Sequence, residues 1–90
     1  MTPSESDISQ TIALLKKRLA NPDIDKPVNK PVKAGYEQSV TILAEGLTDY
    51  AAAGIDTLPY QQARAIAVLA VDYLRGECSQ RVLVNVPLKK

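Results

Sequence analysis

No histidine, phenylalanine or tryptophan occurs in this chain, and it carries one cysteine and one methionine. Each absence excludes something. Without histidine the usual acid–base group of neutral pH is missing, so ordinary general acid–base catalysis is not expected. The lone Cys78 cannot close a disulfide within the chain. One thiolate without imidazoles cannot fill a structural zinc shell either, so no metal or cofactor is expected. With four tyrosines as the only aromatic residues, the core must be built from Ile, Leu, Val and Ala, which suits closely packed helices.

A strong excess of one charge is also lacking. Eleven Lys and Arg face ten Asp and Glu, a net charge of +1, whereas dedicated nucleic-acid binders usually show a marked basic excess. No segment approaches the run of about 20 apolar residues that crosses a bilayer. The first residues lack the positive start and apolar stretch of a secretory signal. A cytoplasmic location is the expectation, and a free thiol agrees with a reducing compartment.

At 90 residues, 46% of them hydrophobic and 23% charged, the chain reads as one small folded domain, residues 1–90. A chain this short buries only about 60–65% of its unfolded surface, so its core is modest. The start Thr2-Pro3-Ser4-Glu5 reads as a capping box: Thr2 as cap, Pro3 at the first helical position, Glu5 closing the box. Ile8, Ile12, Leu15 and Leu19 then recur on one helical face. Lys16, Lys17 and Arg18 at the far end suit the helix dipole. A first helix over about 3–20 is predicted. Residues 21–34 contain Pro22, Pro27 and Pro31 and are expected to form a stiff extended connector, or a docking segment of polyproline type.

Tyr36, Val40, Leu43, Leu47 and Tyr50 follow a four-three-four-three spacing. This predicts a second helix over about 35–53, with Gly46 inside it and Gly54 as its stop. The stripe is also the candidate dimer seam. Asp56 or Thr57 is expected to cap a third helix over about 59–75 with Pro59 in its first turn. Its body is apolar on nearly every side, which predicts a central helix packed between the other two. Residues 77–90 are expected to be extended. Val82, Val84 and Val86 alternate with Arg81, Leu83 and Asn85, a β-strand pattern without an evident partner. The options are pairing with residues 28–32, pairing across a dimer, addition to another protein's sheet edge, or an irregular tail folded back over the helices. The predicted fold is mainly α: a three-helix bundle-like domain with an extended or β C-terminal segment.

Catalytic patterns are weak. Arg75 and Arg81 flank Cys78, but Glu77 opposes their effect on the thiol, and a structural cysteine is expected. Asp49, Asp56 and Asp72 form no paired-carboxylate pattern. The expected function is a non-enzymatic protein-binding module, a regulator or inhibitor of a larger protein complex, of the kind found among accessory proteins of bacterial, plasmid and phage genomes. Lys26, Lys30, Lys33, Val82, Val84 and Val86 are the candidate partner-binding residues. The alternative is a sequence-specific DNA-binding regulator of helix-turn-helix type. It would present Tyr60, Gln61, Gln62 and Arg64 at the start of the third helix.

Overall fold

In the computed structural model, which describes residues 1–90, the first helix α1 spans Glu5–Leu19 and is capped by Ser4 rather than Thr2. The Ser4 side chain accepts the Asp7 amide at 3.1 Å, and the Asp7 carboxylate accepts the Ser4 amide at 3.1 Å. Two overlapping capping boxes were available, and serine is the better N-cap. Pro3 is left outside the helix. The basic cluster Lys16, Lys17 and Arg18 does occupy the last turn.

The prolines do not produce an extended connector. Pro22 and Pro27 each open a 3-10 turn, over Pro22–Asp25 and Pro27–Asn29, and Pro31 lies in the first turn of α2, Lys30–Glu45. A proline breaks a helix only where its missing N–H and its ring meet the preceding turn. In the first turn neither matters. The helix therefore starts well before Gly35. It also ends early, because Gly46 takes left-handed angles (φ 66°, ψ 40°) and donates its amide to the Ile42 carbonyl. Gly46 is the stop, not an interior residue. Residues 46–60 form a loop with one 3-10 turn at Ile55–Thr57, so Asp56 and Thr57 cap no helix. Helix α3 spans Gln61–Leu74.

The predicted strand is absent. Gln80–Val84 form a short helix, α4, whose first turn is held by the Ser79 side chain accepting the Val82 amide at 3.3 Å. Burial follows helical neighbours, not alternation: Leu83 and Val84 are both buried while Val82 is 54% exposed. A strand would have needed ladder partners that no other segment supplies, whereas a helical turn satisfies its backbone groups internally. Residues 85–90 carry no regular structure and fold back over the body. With the 3-10 turns included, helix makes up 67% of the chain, and no strand forms. No helix is long and apolar enough to cross a membrane.

Helix α2, not α3, lies between the other two long helices. It packs along α3 and against α1, while α4 bridges α1 and α3. The all-round apolarity of α3 is met by α2 and α4 and by Leu47, Ala53, Ile55 and Leu58 of the loop before it. Ala63, Ala67 and Ala70 are fully buried and allow close approach. The tightest point is Gly35, where an added Cβ would sit 2.8 Å from the Ile66 Cβ. The two helices are so close there that no side chain fits. Gly35→Ala should therefore lower stability by about 1–3 kcal/mol through overpacking. The urea midpoint measures this, and an unchanged midpoint would show that α2 and α3 do not meet so closely.

Candidate binding surface

Three side chains from three elements hold the 85–90 segment. Arg18 comes from the last turn of α1, Asn29 from the second 3-10 turn and Tyr36 from the second turn of α2. The Tyr36 hydroxyl donates to the Val84 carbonyl at 3.2 Å and accepts the Val86 amide at 3.1 Å. The Arg18 guanidinium donates to the Val86 carbonyl and lies 5.8 Å from the centre of the Tyr36 ring, a cation–π distance. Asn29 is 1% exposed. Its amide nitrogen donates to the Lys89 carbonyl at 2.6 Å and to the Asp23 carbonyl at 2.7 Å, and its oxygen accepts the Lys89 amide at 2.9 Å. A buried amide of this kind is stable only when its polar atoms are paired, and here they are. Val86 and Leu88 turn half-buried toward the core, while Asn85, Pro87 and Lys89 face outward. Beside this clasp is a cleft of about 290 Å³ lined by Leu14, Lys17, Arg18, Asn21, Val84 and Asn85.

The same arrangement separates charge. Lys16, Lys17 and Arg18 end α1, Lys26 precedes the second 3-10 turn, Lys30 and Lys33 open α2, and the Asn29–Lys89 pairing adds Lys89 and Lys90. Three carboxylates offset these eight cations: Asp23 pairs Lys26 at 3.3 Å, Asp25 pairs Lys33 at 3.0 Å, and the exposed Glu37 lies one turn from Lys33. At the opposite end the start of α1 meets the end of α2, where Glu5 and Glu45 line one shallow cavity. The end of α3 reaches the same end through the Thr11 hydroxyl, which donates to the Tyr73 oxygen at 2.8 Å. Asp7, Asp49, Asp72 and Glu77 complete that acidic end, with Arg75 and the Met1 ammonium as cations among them. The net +1 of the whole chain hides a molecule basic at one end and acidic at the other.

The candidate residues fare differently. Lys26, Lys30 and Lys33 fall within the basic end, with Lys30 exposed and the other two ion-paired. Val82, Val84 and Val86 do not share a face. The proposed dimer seam is not an exterior stripe: Tyr36 and Leu43 are buried in the core, Val40 and Leu47 pack against it, and Leu47 and Tyr50 lie beyond the end of α2. Tyr50 instead donates its hydroxyl to the Asp72 carboxylate. Tyr60, Gln61 and Gln62 are exposed, but Arg64 is half-buried and donates to the Leu58 carbonyl at 2.8 Å. The loop 46–60 replaces the short turn that a helix-turn-helix requires. Burial, and then Asp72, push the Cys78 thiol above its usual pKa, which opposes thiolate chemistry. Arg18, Asn29 and the role of Tyr36 were not foreseen. A single Asn between prolines carries no local sign of burial, and Arg18 reads as an ordinary dipole partner.

The chain matches no family model, no curated protein and no solved structure.

Tyr36→Phe should release the Val84 carbonyl and the Val86 amide and cost about 1–3 kcal/mol. Faster hydrogen exchange at the Val86 amide reports the local effect, and unchanged exchange would deny the clasp. Burial is the main cause that raises the Tyr36 hydroxyl above its ordinary pKa of 10.0, against the opposing pull of Arg18. The folded chain then holds this proton where the unfolded chain loses it. The associated stability is complete below the unfolded value and is lost as pH rises through the folded one. Denaturant midpoints at about pH 8 and about pH 11 should therefore fall further for the wild type than for Tyr36→Phe.

Proposed function

We propose that this chain is a non-enzymatic binding protein, a small regulator or inhibitor that docks on a larger protein complex through its basic end. The observation that carries this reading is the gathering of eight cations around the close of α1, the opening of α2 and the 85–90 segment, with three carboxylates, Asp23, Asp25 and Glu37, among them. Such a surface speeds encounter with an acidic partner and orients it, because charge complementarity acts over roughly a Debye length, about 8–10 Å in physiological salt. Groups with chemical potential are occupied structurally, which fits a binding role. Asp72 is bonded to Tyr50, Asp49 accepts the Ala51 amide, and Tyr36 holds the folded-back segment. A duplex-DNA partner would use the same charge, but through Tyr60, Gln61 and Gln62, since Arg64 is already engaged by Leu58.

The test is affinity capture with the wild type and with a Lys17→Glu, Lys30→Glu double variant, at about 0.1 M and about 0.5 M salt, with and without nuclease. One protein retained in fixed ratio is expected, insensitive to nuclease and lost on charge reversal or in high salt. Tight, sequence-specific duplex binding that depends on Gln61 and Gln62 would replace this reading with the DNA-binding one.

A further inference from the structure

The 85–90 segment is held in an unusual way. No main-chain to main-chain hydrogen bond ties it to the body. Its anchored groups are the amide and carbonyl of Val86 and the amide and carbonyl of Lys89, and all four are read by the side chains of Arg18, Tyr36 and Asn29. Between the two anchor points, Val86 and Leu88 point inward and Pro87 points out. This is how proteins bind an extended peptide: fixed donors and acceptors read the backbone, and shallow pockets take alternate side chains. Pro87 stiffens the segment by fixing its own φ, which limits the ordering cost. Segments held by few contacts sit at the low end of local stability and open first.

The resident segment is also poorly matched in charge. Asn29 brings Lys89 beside Lys30 and beside Asp23, whose carboxylate already pairs Lys26, and Lys90 follows, at an end that also holds Lys16, Lys17 and Arg18. Neither Lys89 nor Lys90 forms an ion pair. Like charges brought together at low net screening repel. The backbone anchors and the core surface under Val86 and Leu88 would serve any segment of similar shape, whereas the basic rim favours one of the opposite sign.

We propose that the groove formed by Arg18, Asn29 and Tyr36 is a peptide-binding site that residues 85–90 occupy in the free protein. Its ligand is an extended segment of the docking partner with apolar side chains at positions one and three, followed by acidic residues. The partner segment displaces residues 85–90 and places carboxylates where Lys89 and Lys90 now lie. This rests on the basic end being the docking surface, and it names the chemistry that end recognises.

The experiment uses the full chain and two labelled peptides read by fluorescence anisotropy. One peptide copies residues 85–90, and the other carries Lys89→Glu and Lys90→Glu. In the chain, Val86→Ser with Leu88→Ser frees the groove without adding charge. The freed chain should bind the acidic peptide at least about ten-fold more tightly than the wild type does, because a tethered segment competes at an effective concentration of order mM. It should prefer the acidic peptide to the native copy, a preference that vanishes in about 0.5 M salt. Adding Asn29→Ala or Tyr36→Phe should abolish binding. A freed chain of unchanged helicity that binds neither peptide, or both equally, overturns the proposal. If the freed chain does not fold, Lys89→Glu with Lys90→Glu in the otherwise native chain decides. Slower amide exchange at positions 86 and 89 is expected, and unchanged or faster exchange overturns it. Loss of partner capture on charge reversal without any peptide binding keeps the docking reading and rejects the groove. Peptide binding with no captured protein keeps the groove and rejects the docking reading.

Discussion

At Gly35 helix α2 presents no side chain, and the Ile66 side chain of α3 fills the space. The rest of the molecule is arranged around that contact. With α2 pressed against α3, the adjacent Tyr36 points to the side where α1 and α4 both end, and its ring becomes fully buried. Ser39 lies one turn further on and returns its hydroxyl to the Gly35 carbonyl at 2.7 Å, so this polar residue enters the core without an unpaired group. A bulkier residue at 35 would push α2 outward and carry Tyr36 away from the two backbone groups it holds.

Tyr36 in turn determines what becomes of the last residues. Its hydroxyl is the one polar atom in the core that meets both the end of α4 and the start of the 85–90 segment. Arg18 stacks over the same ring, so the end of α1 and the folded-back segment share one anchor. A second polar link, from the Gln80 side chain through the Thr11 hydroxyl to Tyr73, joins α4, α1 and α3 near the other end. Apolar packing supplies the bulk of the core, and these two buried polar links decide how the short α4 and its extension lie across it. The charge separation follows from the same geometry. Residues far apart in sequence, 16–18, 26–33 and 89–90, meet because the clasp returns the chain to the close of α1.

Much of the architecture was legible from spacing alone. The apolar rhythm of Ile8, Ile12, Leu15 and Leu19 and the basic last turn located α1, and the alanine-rich run 63–74 located α3. The errors share a cause: local signals that permit two outcomes. Pro31 forbids a helix interior but suits a helix start, Gly46 weakens an interior but suits a stop, and Val82–Val86 suits a strand only where a partner strand exists. The tyrosine–leucine stripe has the spacing of an outer seam, but periodicity reveals that a face is apolar, not what covers it.

By itself, then, the sequence determined the class of structure. Helical periodicities, helix stops and a core limited to small aliphatic side chains admit a mainly helical protein and little else, because these depend on neighbours within a turn or two. Only the tertiary structure decided the candidate binding surface. Which helix is central, whether Val84 lies in a strand or a helix, and where Lys89 rests depend on contacts between residues 48 to 68 positions apart, such as Tyr36 with Val84 and Arg18 with Val86. A buried hydroxyl or amide chooses its partner from whatever the packed helices bring within about 3 Å, and no short-range pattern encodes that choice.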